Sequence, residues 1–142
     1  MINVEDLLKP VGEDKPCGED FTYHPSFQDL ETSSRGKPET QFSPAEEPQW
    51  KTVRDAAIDV LNKSKHLTAG VILTASLLKI DGLEGFRDGL AVVRGLTERY
   101  WNDVYPRLDP DDNNDPTQPL NILNSLSSPA EPYKFTLHLK QI

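Results

Sequence analysis

The sequence of 142 residues has a single cysteine, Cys17, one methionine and two tryptophans, with aromatic residues at 8%. One cysteine excludes an internal disulfide. Its three histidines, at 24, 66 and 138, lie far apart and outside any HExxH or Cys/His cluster, so a four-ligand zinc site is unsupported. A chain of this size removes roughly two thirds of its unfolded surface from water and needs neither kind of staple. Long hydrophobic runs are also missing. The longest nearly uncharged stretch, Leu67 to Leu78, contains Thr68, Gly70, Thr74 and Ser76, and it falls well short of the ~20 apolar residues of a bilayer helix. It is expected as a buried helix, with no membrane insertion. The opening MINVEDLLKPVGEDK has acids and a proline where a secretory signal carries a basic start and an apolar run, so a cytoplasmic domain is expected. Positive charge is in deficit: 15 Lys+Arg face 23 Asp+Glu, for a net charge of −8. Surfaces that must neutralise phosphates are disfavoured, which argues against nucleic acid and anionic lipid as partners.

Charge divides the chain into three parts, net −7 over 1–48, +2 over 49–107 and −3 over 108–142. All prolines but Pro106 lie outside the middle part, which also carries most of the helical periodicity. The expected architecture is therefore all-α in the main, a compact multi-helix domain over 1–128 with long polar loops. Residues 129–142 are expected as a linker or the start of a following region.

Asn3 is placed to cap a short helix ending near Lys9, before Pro10. Residues 11–23 read as extended or irregular, and His24-Pro25 restarts a short helix presenting Phe27 and Leu30. The span from Glu31 to Gln49 has almost nothing apolar except Phe42 and reads as one long loop, a length that is commonly functional. Trp50, Val53, Ala57, Val60 and Leu61 then form the stripe of a helix near 49–63. Ser64 is the expected N-cap of the next helix, which is apolar nearly all round from Leu67 to Ile80 and ends at Asp81-Gly82. A third helix follows to about Val104, with Leu83, Phe86, Leu90, Val93 and Tyr100 inward. Gly85 and Gly89 share one face of it, and each costs about 1 kcal/mol in a helix interior. A close crossing against the 67–80 helix explains them. Pro119 then suits the first turn of a helix showing Leu120, Leu123 and Leu126. The tail alternates Tyr133, Phe135, Leu137 and Leu139 with polar residues, the period of a short strand. A lone strand leaves its backbone unpaired, so the tail pairs elsewhere, belongs to a longer protein, or is a frayed helix.

Chemistry finds little footing. Asp109, Asp111 and Asn113 fall at calcium-loop positions 1, 3 and 5, but Asn114 stands where glycine is required and Leu120 where glutamate is required. Cys17 sits in a Pro-Cys-Gly turn with no base nominated, so a packed, inert thiol is expected. His66 reads as a surface or capping residue. GxSxG, Walker and GxGxxG patterns are all absent. No catalytic, cofactor or metal residue is therefore assigned. The alternative is an enzyme of unfamiliar type using Glu19, Asp20 or Asp112 with His24, since paired carboxylates shift apart into an acid and a base. Trp50, Tyr100 and Trp101 could anchor a partner, although their helical spacing favours core packing. On the helix beyond residue 82, Arg87, Arg94 and Arg99 are offset by Glu84, Asp88 and Glu98, which cancels attraction to a membrane surface.

An ordered set of short segments carries more information than any of these. LLKPVGEDKPCGEDFTY at 7–23, GKPE at 36–39, EPQWKTV at 47–53, NKSKHL at 62–67, GLEGFRDGL at 82–90 and RYWNDVYPRLDPDDN at 99–113 occur in one chain. Together they resemble the N-terminal domain of the TssA (ImpA-type) proteins of bacterial type VI secretion. The family often has an acid-Leu-Arg where this chain has His66-Leu67-Thr68, and an arginine where it has Thr117-Gln118-Pro119. Members are longer, with a variable C-terminal part that forms rings. The resemblance implies a cytoplasmic, non-enzymatic component with no cofactor. It would contact baseplate, tube, sheath or membrane-complex proteins and help organise tube and sheath assembly. The piece read here is expected to be a monomer or weak dimer, with a surface that includes the acidic 31–48 loop.

Overall fold

Asn3 opens the first helix, α1 (Val4–Leu8), by accepting a hydrogen bond from the Asp6 amide at 3.3 Å. A computed structural model of the chain describes residues 2–37, 39–107, 115–127 and 135–140. His24 caps α2 (Pro25–Arg35), its Nδ1 accepting from the Ser26 amide at 3.1 Å, and Phe27 and Leu30 enter the core as expected. The helix continues through Glu31–Arg35, where the sequence reads as loop. The Ser33 hydroxyl donates to the Asp29 carbonyl and that of Ser34 to the Glu31 carbonyl, and Ser34 is buried. Polar side chains thus satisfy themselves on the helix and hide it from a search for apolar residues.

Trp50–Lys63 form α3, with Val53, Ala57, Val60 and Leu61 buried, as the stripe predicts. The cap of the next helix is His66, whose Nδ1 accepts from the Thr68 amide at 3.1 Å, and Ser64 is instead a buried link residue. This next helix, α4 (Leu67–Tyr100), is two arms folded at Gly82, whose φ of 67° and ψ of −141° suit glycine alone. The first arm is buried almost without interruption from Leu67 to Leu78.

The arms close on one another through the glycines. A Cβ at Gly85 would strike the Leu77 carbonyl oxygen, and one at Gly89 would lie 2.6 Å from Thr74 Cα. Close crossing is therefore why both positions lack a side chain. It also turns the second arm: Gly85, Gly89, Val92, Val93 and Leu96 face inward, while Leu83 is 58% exposed and Phe86 and Leu90 are half-buried. The helix ends at Tyr100 rather than near Val104, and Val104 and Tyr105 still bury their side chains in the segment that follows.

Helix α3 packs along α4, α1 lies across both, and α2 rests on α3 and α4. Helix α5 (Thr117–Asn124) also packs on α4. It begins two residues before Pro119, with Asp115 accepting from the Thr117 amide, and runs into a 3-10 turn at Ser125–Ser127. Leu120 is 45% exposed, not inward. The tail corrects the strand reading: Phe135–Lys140 form a helix, α6, with Phe135 fully buried and its ring 6.0 Å from that of Phe86. Phe135 and Leu139, four residues apart, both touch the core, so a helix uses the same alternation. Tyr133, the 109–114 turn and the side chain of His138 lie outside what is described. The mainly-α domain anticipated from periodicity is the fold observed.

Candidate docking surface

Gly36 ends α2 with a φ of 69°, and a Cβ there would strike the Glu46 carbonyl oxygen. The chain then turns back on itself as a small hairpin. Lys37 and Glu46 exchange both backbone hydrogen bonds at 2.9 Å. The Thr40 amide donates to the Ser43 carbonyl at 2.9 Å, and the two hydroxyls lie 3.0 Å apart. The pairings share one register and leave Gln41 and Phe42 as a two-residue tip. Phe42 is 90% exposed. A phenyl ring in water costs free energy that covering by a partner recovers, and aromatic side chains dominate protein contact hot spots. Glu39, Glu46 and Glu47 are exposed around it, with Lys37 paired to Glu46 at 3.6 Å. The arm is thus acidic with an aromatic end.

A second surface feature follows from the turn of α4. Leu83, Phe86, Leu90 and Val93 line a shallow groove of about 690 Å³, and Arg87 and Arg94 are the charged residues lining it. Both guanidiniums are largely exposed, with Asp88 and Glu98 alongside them.

Beneath the surface, three sequence-distant segments meet in a polar junction. The Lys65 amide donates to the Cys17 carbonyl at 2.8 Å, the Tyr105 amide to the Lys65 carbonyl at 2.9 Å, and the Leu67 amide to the Tyr105 carbonyl at 2.7 Å. The Tyr105 hydroxyl closes the ring on the Gly18 carbonyl at 2.8 Å. Lys65 is the residue sequence reasoning missed. It is 1% exposed, and its Nζ donates to the carbonyls of Leu7 at 2.6 Å and Leu61 at 2.8 Å, near the C-terminal ends of α1 and α3. Those carbonyls are the negative ends of two helix dipoles, a favourable place for a cation. Burial still lowers its pKa to about 8. The only sequence signal was its place in a three-residue link between two core helices.

His66 accepts from Thr68 at Nδ1, so Nε2 carries the proton and donates to Thr22 Oγ1 at 3.2 Å, and Thr22 donates on to Asp20 at 2.6 Å. Burial drives the imidazole down to about 4 despite Asp20. Both ring nitrogens are engaged in holding the fold, which fits the capping role; the ring is buried rather than on the surface. The Cys17 thiol is 2% exposed and is pushed up to about 11, mainly by burial, as an inert thiol requires.

The candidate acid–base residues are not brought together. Glu19 pairs with Lys15, Asp20 binds Thr22, and His24 caps α2 while stacking on Phe21 at 4.2 Å; Asp112 lies outside the described residues. Among the described residues, no group of three His, Cys, Asp or Glu side chains is placed to hold a metal ion. Also among them, no helix is long and apolar enough to cross a membrane. Tyr100 is core, its hydroxyl donating to the Leu8 carbonyl at 2.7 Å, and Trp50 packs against the core. His66 and Thr68 face Gln118 and Asn121 across a cleft of about 290 Å³. The start of α4 and the start of α5 are therefore spatial neighbours.

Residues 8–127 match the family described as ImpA, N-terminal, type VI secretion system. The chain is 44% identical over 136 residues to the type VI secretion system component TssA1 of Pseudomonas aeruginosa, which covers 93% of this chain and 39% of TssA1. Its fold is similar to a solved N-terminal domain, including the conserved ImpA_N region, of the TssA component from Burkholderia cenocepacia. The TM-score is 0.74 and the identity 28%, over 89% of this chain and 47% of that one. The chain thus spans less than half the length of these relatives. The family match, the close relative and the shared fold agree: this chain belongs to the ImpA-type N-terminal domains of the TssA components of type VI secretion.

Proposed function

We propose that this domain is a non-enzymatic docking module of the secretion apparatus, acting in the cytoplasm. It binds baseplate or tail components and helps organise tube and sheath assembly. The observation that carries the reading is Phe42, an aromatic side chain 90% exposed at the tip of a braced acidic hairpin. Residues 1–128 are the docking domain, and 129–142 lead from it toward a following region, with Phe135 seated against the core. Binding is the whole mechanism: the hairpin is ordered by its own Lys37–Glu46 and Thr40–Ser43 pairings, so little ordering entropy is lost on contact.

Pull-down of the chain against each purified secretion component tests this. Phe42→Asp, and separately removal of residues 39–44, is expected to abolish capture of at least one component. The helical circular dichroism should stay unchanged. Undiminished capture by both variants would show that the hairpin is not the contact.

A further inference from the structure

The tail helix α6 is seated on the body by a small footprint. It rests on the 3-10 turn at Ser125–Ser127, and its Phe135 ring stands 6.0 Å from that of Phe86 on the second arm of α4. Phe135 is fully buried, and Leu139, one turn further on, is half-buried against the core. With six residues, α6 falls far below the length of about 12–15 residues at which an isolated helix becomes even marginal in water. It is therefore a helix only while it is seated. Phe86 in turn belongs to two surfaces, since it meets Phe135 and also lines the open groove with Leu83, Leu90 and Val93. The seat of α6 is thus continuous with that apolar face, and the tail covers one end of it. We infer that α6 is a latch, which closes and opens as a unit on the seat at Phe86 and, when open, uncovers the end of the apolar face that the tail otherwise occupies.

Two opposing terms of similar size set the balance. Seating withdraws a phenyl ring and part of a leucine from water, while ordering the backbone and side chains of six residues costs a comparable amount. The first arm of α4 is different, because it is buried from Leu67 to Leu78 and cannot leave without the core. A low-stability unit thus sits on a high-stability body, the arrangement from which detachable elements are drawn. On the reading that residues 129–142 lead away from the docking domain, the latch decides whether the chain beyond is fixed to the body or swings from it. The latch and the Phe42 hairpin are separate surfaces, so failure of either reading leaves the other standing.

Amide hydrogen exchange of the whole chain, followed by mass spectrometry over a series of sub-denaturing urea concentrations, tests this. Peptides covering 135–140 are expected to exchange about tenfold or more slower than an unstructured chain, yet at least about a hundredfold faster than those covering 67–78. Their rate should barely respond to urea, because opening the tail exposes little surface. Phe135→Ala should bring 135–140 to the unstructured rate, leave 67–78 protected and raise the binding of the apolar dye ANS. Phe86→Ala, which alters the seat and leaves the tail intact, should free 135–140 as well. Exchange of 135–140 that follows 67–78 in both rate and urea dependence would make α6 part of the core and overturn the latch. Unstructured exchange of 135–140 in the unsubstituted chain would overturn it from the other side, since nothing would then be closed. Phe135→Ala that loosens 67–78 as much as the tail, or that leaves dye binding unchanged, would also sink it.

Discussion

The seam between the two arms of α4 and the junction around Lys65 hold the same body together by opposite means. At the seam the chain has removed side chains: Gly85 and Gly89 let one helix backbone approach another, and the interaction is dispersion and burial. At the junction polar groups have been buried, and each donor must find a carbonyl on a remote segment. A seam of this kind fails by volume and is indifferent to pH. A junction of this kind tolerates little change in charge, and pH should be its weak point.

The largest expected effect breaks the seam. Gly89→Ala puts a methyl group within 2.6 Å of Thr74 Cα, and Gly85→Ala drives one onto the Leu77 carbonyl. Backbone must move in both, at about 3 kcal/mol or more, to be seen as a lowered urea midpoint whose difference from the unsubstituted chain does not vary between pH 6 and 9.

The next effect sharpens the contrast at the junction. His66 has a folded pKa of about 4 against an ordinary 6.5, so below pH 6.5 the unfolded chain takes a proton that the folded chain refuses. Stability is therefore complete above 6.5 and falls as pH drops toward 4, by about 2 kcal/mol at pH 5. His66→Asn keeps an N-cap side chain without the titration. Its stability, lower at neutral pH because a buried ring is lost, should be level between pH 6.5 and 5 in chemical denaturation.

Lys65 works in the other direction on the scale. Its folded pKa of about 8 lies below the usual 10.5, so raising the pH discharges the folded state first and stability grows from pH 8 upward. One proton allows at most about 1.4 kcal/mol per pH unit, and about 1 kcal/mol is expected between pH 8 and 9. Above pH 9 the Cys17 thiol opposes this, because burial holds it protonated to about 11 when the unfolded chain has already ionised it. Lys65→Met should lack the rise. The smallest effect on stability belongs to Phe42→Ala, within about 0.5 kcal/mol, because the ring touches water and not the core. Its consequence is confined to docking.

The seam was legible in the sequence and the junction was not, for a physical reason. Gly85 and Gly89 stand out because each is locally unfavourable in a helix, and an unfavourable residue on one face implies a compensating neighbour. The apolar run 67–78 supplied that neighbour. Lys65 is locally unremarkable: a lysine in a short link is ordinarily solvated, and only closure of α1 onto α3 places two helix-end carbonyls around it. The segments PCGED, NKSKHL and RYWNDVYP supply Cys17 and Gly18, Lys65 and Tyr105, which meet only in this junction. The end of α2 escaped notice because Ser33 and Ser34 bind their own helix, and the tail because Phe135 and Leu139 satisfy period two and period four alike.

The docking surface divides in the same way. That residues 36–49 leave the core was plain from their composition, and the sequence by itself determined α1, α3 with its buried stripe, the buried run 67–78 and the need for a close crossing, because each depends on residues a few positions apart. Whether Phe42 would be covered, whether Leu83 and Leu90 would form a rim instead of core, and where Lys65 would find its partners were decided only when distant segments closed on one another. A hydrogen bond or a packing face between remote residues has no energy until both are held in place, and that placement belongs to the tertiary structure.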